Sequence, residues 1–287
     1  MQEIGGQAVM EGVMMKSTDK IAIAVRKQNG KITVKKQKYA PWIKKSRILS
    51  IPVIRGFVVF IESIAEGYKA MNYSASEVMD EEESSSSAIM VVAGIFAFIL
   101  ALFLFKFVPF WAAYGMSSAL KIFEERFVFN LTEGAIKAGM LIGYIFLISK
   151  MKDVKRVFEY HGAEHKVINC YEAEGKVSVK NAKKYPTFHR RCGTSFLLLV
   201  VMVSIAIYIF VPLGISFLSR FLWRLALLPL IAGASYEILK ASSAYPKNII
   251  FRALSWPGVF LQKLTTSEPD EKQLEVAVKA FKAVALP

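Results

Sequence analysis

Cysteine and histidine are scarce in this chain of 287 residues, which has two of the first and three of the second. So few cysteines exclude a disulfide-built scaffold. The first twenty residues hold no apolar core of useful length, so no cleavable signal is expected. No internal repeat is found, which excludes solenoids and propellers. Acidic residues are also few, 23 Asp+Glu against 37 Lys+Arg, for a formal net charge of +14. The basic residues are spread over three segments without an aromatic-interleaved strip, so no nucleic-acid partner is inferred. Apolar residues, by contrast, make up 54% of the chain, and the mean hydropathy is +0.38. A soluble domain of this size rarely averages so apolar, and a disordered chain does not. Basic loops around membrane spans then account for the charge.

Residues 88–105 are 18 uncharged positions, about 27 Å as a helix against a hydrocarbon core of about 30 Å. Residues 195–219 are 25 uncharged positions, interrupted only by Pro212 and Gly214. Two softer segments follow these after short connections: 127–149 with Glu133 and Lys137, and 221–239 with Arg224 and Glu237. An even number of spans closes naturally, so four are read. Lys137 and Arg224 lie near the predicted outer ends, where snorkelling accounts for them. Residues 1–87, 150–193 and 240–287 together hold 31 Lys+Arg and a net charge of +12, whereas the intervening loops hold 4 and about +1. That asymmetry predicts cytoplasmic termini and a cytoplasmic 150–193 loop. Both cysteines, Cys170 and Cys192, fall in that loop, where a reduced thiol or a metal ligand is expected.

The remaining segments complete the expected architecture. Residues 21–25 and 32–34 flank Gln28-Asn29-Gly30-Lys31, an Asn-Gly hairpin signal. The glycine-punctuated run from Gly5 to Met15 reads as a compact turn. Residues 48–71 suit a helix lying in the membrane interface, and acidic then serine-rich residues 80–87 read as a solvated linker. Residues 249–264, with Pro257-Gly258 in their middle, read as interfacial or re-entrant. Ser267-Glu268-Pro269-Asp270 opens an amphipathic tail helix. The expected fold is therefore mainly α, a polytopic membrane protein with about four transmembrane helices, a small N-terminal β-hairpin element and a cytoplasmic helical loop. Its regions are 1–87 (hairpin and interfacial helix), 88–239 (four spans with the 150–193 loop) and 240–287 (interfacial segment and amphipathic helix).

All three histidines sit within 29 residues of the predicted cytoplasmic loop. Two form His161-Gly-Ala-Glu164-His165, and on a helix positions 161, 164 and 165 share one face. Val154, Val157, Phe158, Ile168 and Tyr171 keep the helical period around it. Neutral imidazoles at i, i+4 can both reach one divalent cation at about 2.0–2.1 Å. A carboxylate between them, not bound to the cation, can take a proton from an attacking water. The His-x-x-Glu-His order resembles the inverzincin signature. That resemblance implies a third ligand from a glutamate several tens of residues downstream, and Glu237 stands 72 residues after His165. His189-Arg190-Arg191-Cys192 offers another set, in which His161, His165, His189 and Cys192 would close a structural zinc site. Cys170 lies about 180° from His161 on a continuous helix and is not expected as a ligand. Asn169 and Glu172 share the histidine face and are expected to support the ligands.

Three motifs together carry a wider resemblance: Gly5-Gly-Gln-Ala-Val-Met-Glu-Gly-Val-Met-Met15, Glu159-Tyr-His-Gly-Ala-Glu-His-Lys166 with Asn169-Cys170-Tyr171, and Arg191-Cys-Gly-Thr-Ser-Phe196. They resemble the YqhQ-like bacterial membrane proteins, catalogued as a domain of unknown function and loosely described as predicted metal-dependent enzymes. The resemblance implies a multi-span bacterial inner-membrane protein and favours the metal, but supplies no substrate.

Two function classes follow. In the first, a metal-dependent hydrolase works at the cytoplasmic membrane face. His161, His165 and Glu237 hold a zinc-like ion, Glu164 is the general base, and Arg190 and Arg191 receive an anionic group of a lipid or peptide substrate. In the second, a non-enzymatic scaffold, channel or transporter uses the same cluster structurally, and Lys137, Arg224 and Glu237 line an interior or a homo-oligomer interface. Membrane lipid is the expected partner in both.

Overall fold

The computed structural model describes residues 2–78, 87–212, 214–245 and 247–285. The linker expected at 80–87 lies outside the described residues except at its last position, where a helix begins. Four strands, β1 (Gly5–Val9), β2 (Gly12–Lys16), β3 (Lys20–Arg26) and β4 (Ile32–Lys38), form one antiparallel sheet in chain order. The expected Asn-Gly hairpin joins β3 to β4, with Arg26 opposite Ile32 and Gly30 at φ +79°. The Gly5–Met15 run is a second hairpin rather than a compact turn, pairing Gly5 with Lys16 and Val9 with Gly12. Its Met10-Glu11 corner puts Glu11 at φ +50°, and Arg156 and the Tyr160 hydroxyl, at 3.2 Å, donate to the Glu11 carboxylate. Gly6 and Gly12 make room for neighbouring strands and do not break the pairing.

Alternation along the strands sends side chains to two covered faces. Val13, Met15, Ala22 and Ala24 face a core with Tyr160, Ala163, Val167 and Ile168 of α5 (Lys152–Glu174). The same core includes Ala182 of the short α6 (Val179–Ala182) and Leu274, Ala277, Val278 and Phe281 of α11 (Glu271–Ala285). Val9, Met14, Ile21, Ile23 and Val25 face Ala70 of α1 (Ile54–Val78) on the other side. Segments from both ends of the sequence thus meet over one sheet. The tail helix starts as expected: Gln273 N–H donates to Asp270 Oδ1 at 2.7 Å and Asp270 N–H to Gln273 Oε1 at 2.9 Å, a reciprocal cap.

The apolar helices differ from the expected spans in their limits. The first does not end at 105: α2 (Ser87–Leu102) runs through a π-helical turn, Phe103–Phe107, into α3 (Val108–Ala119). Lys106 does not stop it, because its ammonium donates to the Tyr208 hydroxyl at 3.2 Å. Pro109 stands just after the π-helical turn, where the regular i→i−4 ladder is already interrupted. The helix α4 (Arg126–Ile148) matches the expected 127–149 segment. In place of the expected 195–219 span, α7 covers only Gly193–Tyr208, about 24 Å long, and ends before Pro212. The last segment is α8 (Phe217–Ala226) and α9 (Leu228–Ala244), bent by 42° at their junction. Among the described residues two helices, Val92–Ala119 and Arg126–Ile148, are long and apolar enough to cross a membrane, and the bent pair makes three if it is one span.

Lys137 and Arg224 do not snorkel. Both are buried, and both meet Glu133, with Lys137 Nζ 3.2 Å from Oε1 and Arg224 Nη2 2.9 Å from Oε2. A carboxylate one turn before Lys137 on α4 draws both cations inward. The helix α10 (Ile249–Thr265) continues through Pro257 and leaves Ile249, Trp256 and Phe260 exposed along one side.

Candidate metal centre

The histidine motif lies on α5, the helix expected from its periodicity. Each residue of the motif meets a different neighbour. Glu159 accepts from Gln273 Nε2 at 2.8 Å, and Lys166 Nζ reaches Lys183 O at 3.0 Å and Glu268 Oε1 at 2.7 Å. Gly162 lies where a Cβ would strike the Ser267 carbonyl, so the chain leading into α11 crosses α5 at that point. The Tyr171 hydroxyl accepts from Gln2 N–H at 3.2 Å.

His161 Nδ1–H donates to Thr265 O at 2.8 Å, at the end of α10, and His165 Nδ1–H donates to Thr187 O at 2.5 Å. A carbonyl only accepts, so both Nδ1 atoms carry protons and each neutral ring keeps its lone pair on Nε2. Cys192, the residue capping the start of α7, completes the group. Its sulfur lies 3.2 Å from His161 Nε2. One ligand atom from each of His161, His165 and Cys192 falls within 4.8 Å of the others. Bonds of about 2.0 Å to nitrogen and 2.3 Å to sulfur require spacings of this order around a tetrahedral ion. Thr194 N–H also donates to the sulfur, at 3.4 Å. Burial lowers the His165 pKa, against a raising contribution from Cys192, which favours the neutral ring that a metal needs.

Glu164 is 5% exposed and lies 3.5 Å from His165 Nε2. Burial pushes its carboxyl pKa up, opposed by His161, His189 and a hydrogen bond from the Gly6 backbone. The contact with Gly6 is close: a Cβ there would sit 2.9 Å from Glu164 Cγ and 2.5 Å from Met14 O. Strand β1 therefore forms one wall beside the carboxylate.

Of the other expected residues, Asn169 Nδ2 donates to Pro186 O at 3.0 Å and Phe188 O at 2.9 Å. It thereby holds the loop that presents the Thr187 carbonyl. His189 lies beside His165, ring centroids 5.7 Å apart and planes tilted by 45°, but its nitrogens turn to Glu172 Oε2, at 3.3 Å, and to Arg191 N–H. Arg191 also pairs with Glu172. The His189 hydrogen bond, with the nearby charges, holds the Glu172 carboxyl below its ordinary value. Arg190 is exposed beside them. Cys170 is buried in the core, bonded to Lys176 O, away from the triad as expected. Glu237 is not brought to the histidines: Arg55 holds both its oxygens, at 2.7 and 2.5 Å. Of the two expected ligand sets, the geometry keeps the histidine pair and Cys192.

Sequence reasoning missed Gln262, Thr187 and Thr265. Gln262 accepts from His189 N–H at 2.8 Å and donates to His189 O at 2.8 Å and Ser195 Oγ at 2.9 Å. The two threonines act through backbone carbonyls, which leave no trace in residue type. The glycine run at the N-terminus was the available signal for Gly6.

A family model described as "Protein of unknown function (DUF1385)" matches residues 51–286. The chain is 36% identical over 293 residues to "Uncharacterized protein YqhQ" of Bacillus subtilis (strain 168), covering 96% of this chain and 90% of that protein. No solved structure matches. With the relative covering 96% of this chain and the family model spanning every residue of the triad, the chain belongs to the YqhQ-like DUF1385 family, whose function is unknown.

Proposed function

We propose that this protein is a metal-dependent hydrolase at the cytoplasmic face of the bacterial inner membrane. In this reading His161, His165 and Cys192 hold a divalent cation, and Glu164 is the general base. The carrying observation is the pair of backbone carbonyls that take both Nδ1–H groups and leave both Nε2 lone pairs to a ligand, with the Cys192 sulfur 3.2 Å from the His161 Nε2. Two imidazoles and a sulfur suit zinc over magnesium or calcium, which prefer oxygen. Three protein ligands leave a fourth position open, as catalytic sites do. The cation would supply Lewis acidity toward a carbonyl or phosphoryl oxygen.

The chain's own groups supply the rest. Glu164, buried with its carboxyl pKa raised, is placed to take a proton from an attacking water at neutral pH. Gly6 N–H steadies the carboxylate from the side. Arg190 and Arg191 stand at the rim for an anionic group of a lipid or peptide substrate, Arg191 being oriented by Glu172. The charge asymmetry supports cytoplasmic termini and a cytoplasmic 150–193 loop. A four-span topology further requires α7 and the α8–α9 pair each to cross.

Metal analysis of the detergent-purified protein tests the reading. About one zinc per chain is expected, retained in Glu164→Gln and Glu237→Gln and lost in His161→Ala and Cys192→Ser. Against ester and peptide chromogenic substrates, Glu164→Gln should lower turnover by about 10²–10⁴-fold. Absence of stoichiometric metal from the wild type sinks the proposal. Full turnover in metal-loaded Glu164→Gln removes the general base, and a protein of scaffold type would be indifferent to that substitution.

A further inference from the structure

Two helices of this fold bury the side chains that water would keep and expose those that water would drive inward. On α1 the inward face holds Gly56, Glu62, Glu66, Ala70 and Ser74, whereas Ile54, Ile61, Ile64, Tyr68 and Met71 are exposed. At 3.6 residues per turn the five exposed positions fall within an arc of about 100°, opposite the buried ones. The sheet region draws the acidic residues inward. Glu62 accepts from Trp42 N–H at 3.0 Å and lies 4.0 Å from Lys16 Nζ, and Glu66 Oε2 lies 3.5 Å from Gln37 Nε2. The pattern recurs on α10, where Ser255, Gly258, Gln262 and Thr265 are buried with Leu261. Ile249, Trp256 and Phe260 point the other way, Ile249 being 79% exposed.

Contiguous exposed apolar surface marks a partner. Neither α1 nor α10 is among the described helices long and apolar enough to cross a membrane, so an apolar partner lies alongside them. The charges beside the stripes select which one. Lys44, Lys45 and Arg47 are exposed in the turns before α1, next to Ile48, 64% exposed, and Ile51. On α10, Arg252 and Lys263 are exposed on the apolar side, and Lys263 Nζ lies 4.7 Å over the Phe260 ring. Long basic side chains can lay their stems on apolar surface and keep the charge at its edge. Neither stripe carries an acidic side chain: α10 has none, and Glu77 of α1 pairs with Lys27. A second copy of the chain would bring the same cations against these, and a nucleic acid would match the cations but leave the isoleucines in water.

We infer that α1, with the turns before it, and α10 lie on a bilayer surface of anionic phospholipid. The apolar stripes enter the acyl boundary, and Lys44, Lys45, Arg47, Arg252 and Lys263 meet the headgroup phosphates. This rests on the membrane location proposed above and needs neither the cation nor the reaction. Because α10 ends at Thr265, the carbonyl partner of His161, the same surface sets the histidine site at the lipid boundary.

Amide hydrogen exchange tests it, on the full chain in nanodiscs of phosphatidylcholine alone or mixed with phosphatidylglycerol. Amides of residues 44–54 and 249–263 should exchange about tenfold or more slowly in the mixed discs. For residues 44–54 the gain should vanish in the triple variant Lys44→Gln, Lys45→Gln, Arg47→Gln. These side chains are exposed, so the variant should keep the wild-type thermal midpoint in detergent. If it does not, high salt, which screens the headgroup charge, must abolish the gain in the wild type. Equal exchange in both discs, or a gain retained by the folded variant, overturns the inference and leaves the membrane location standing. Release of the chain from membranes by alkaline carbonate overturns both. Protection that follows protein concentration in place of phosphatidylglycerol assigns the face to a second copy, and protection by a DNA oligonucleotide in phosphatidylcholine discs assigns it to nucleic acid; either overturns the lipid surface.

Discussion

Gly5 and Gly6 are neighbours with opposite tolerances. A Cβ on Gly5 meets nothing within 4 Å, whereas one on Gly6 meets a carbonyl at 2.5 Å and two side-chain atoms at 2.9 Å. Gly6→Ala should therefore destabilise by about 1–3 kcal/mol, and Gly5→Ala by no more than about 0.5 kcal/mol. Comparing their thermal midpoints checks this, and equal midpoints would contradict the packing of β1 on α5. Glu164 gives a pH prediction for the metal-free protein. Its carboxyl pKa is raised in the folded state, so between the unfolded value near 4.5 and the folded one the native state binds more protons. Stability then falls as pH rises through that window. Glu164→Gln removes the loss, so the chelated variant should melt above chelated wild type at pH 7, with the difference closing below about pH 4.5. A variant that melts lower at pH 7 would show that the buried carboxylate is stabilising.

At the scale of elements, the centre is assembled from a helix, a loop and two helix ends. α5 supplies the histidines, the start of α7 the thiol, the end of α10 one carbonyl and the loop before α7 the other. Asn169 and Gln262 tie that loop to α5 and α10. Removing either tie frees an imidazole's support without touching a ligand. Asn169→Ala and Gln262→Ala should each weaken zinc binding about 10–100-fold, measured by competition with a chromogenic chelator. Unchanged affinity in both would mean that the loop holds its shape alone. This division also explains what was legible in the sequence. The i, i+3, i+4 spacing of His161, Glu164 and His165 put them on one face, as found. Whether Cys192 or Glu237 joined them depended on which side chain another residue claimed, and Arg55, 182 positions from Glu237, carries no local signal of that claim. Hydropathy likewise located the apolar helices but misplaced their ends, because the Lys106–Tyr208 bond lets one helix run on while Pro212 cuts another short.

For the whole molecule, the N-terminal sheet and the C-terminal helix form one body. Arg26 bonds Lys272 O at 2.9 Å and Glu275 at 2.8 Å, and Leu274, Ala277 and Phe281 close the core over β2 and β3. Deleting residues 267–287 should expose that core and remove the Ser267 crossing over Gly162. The truncated protein should then accumulate at a fraction of the wild-type level and bind no zinc. Normal accumulation with full zinc content would show that the sheet and α5 stand without it.

The order in which a ribosome delivers these parts follows from their positions. β4 ends at Lys38 and α11 begins at Glu271, about 230 residues later, or roughly 10–50 s of synthesis. Throughout that interval the core that α11 completes against the sheet and α5 stays open on one side, while the apolar helices are being made. His161 and Cys192 emerge before the Thr265 carbonyl that fixes the His161 ring. The His161, His165 and Cys192 group therefore takes its final shape only after the chain has been made as far as Thr265.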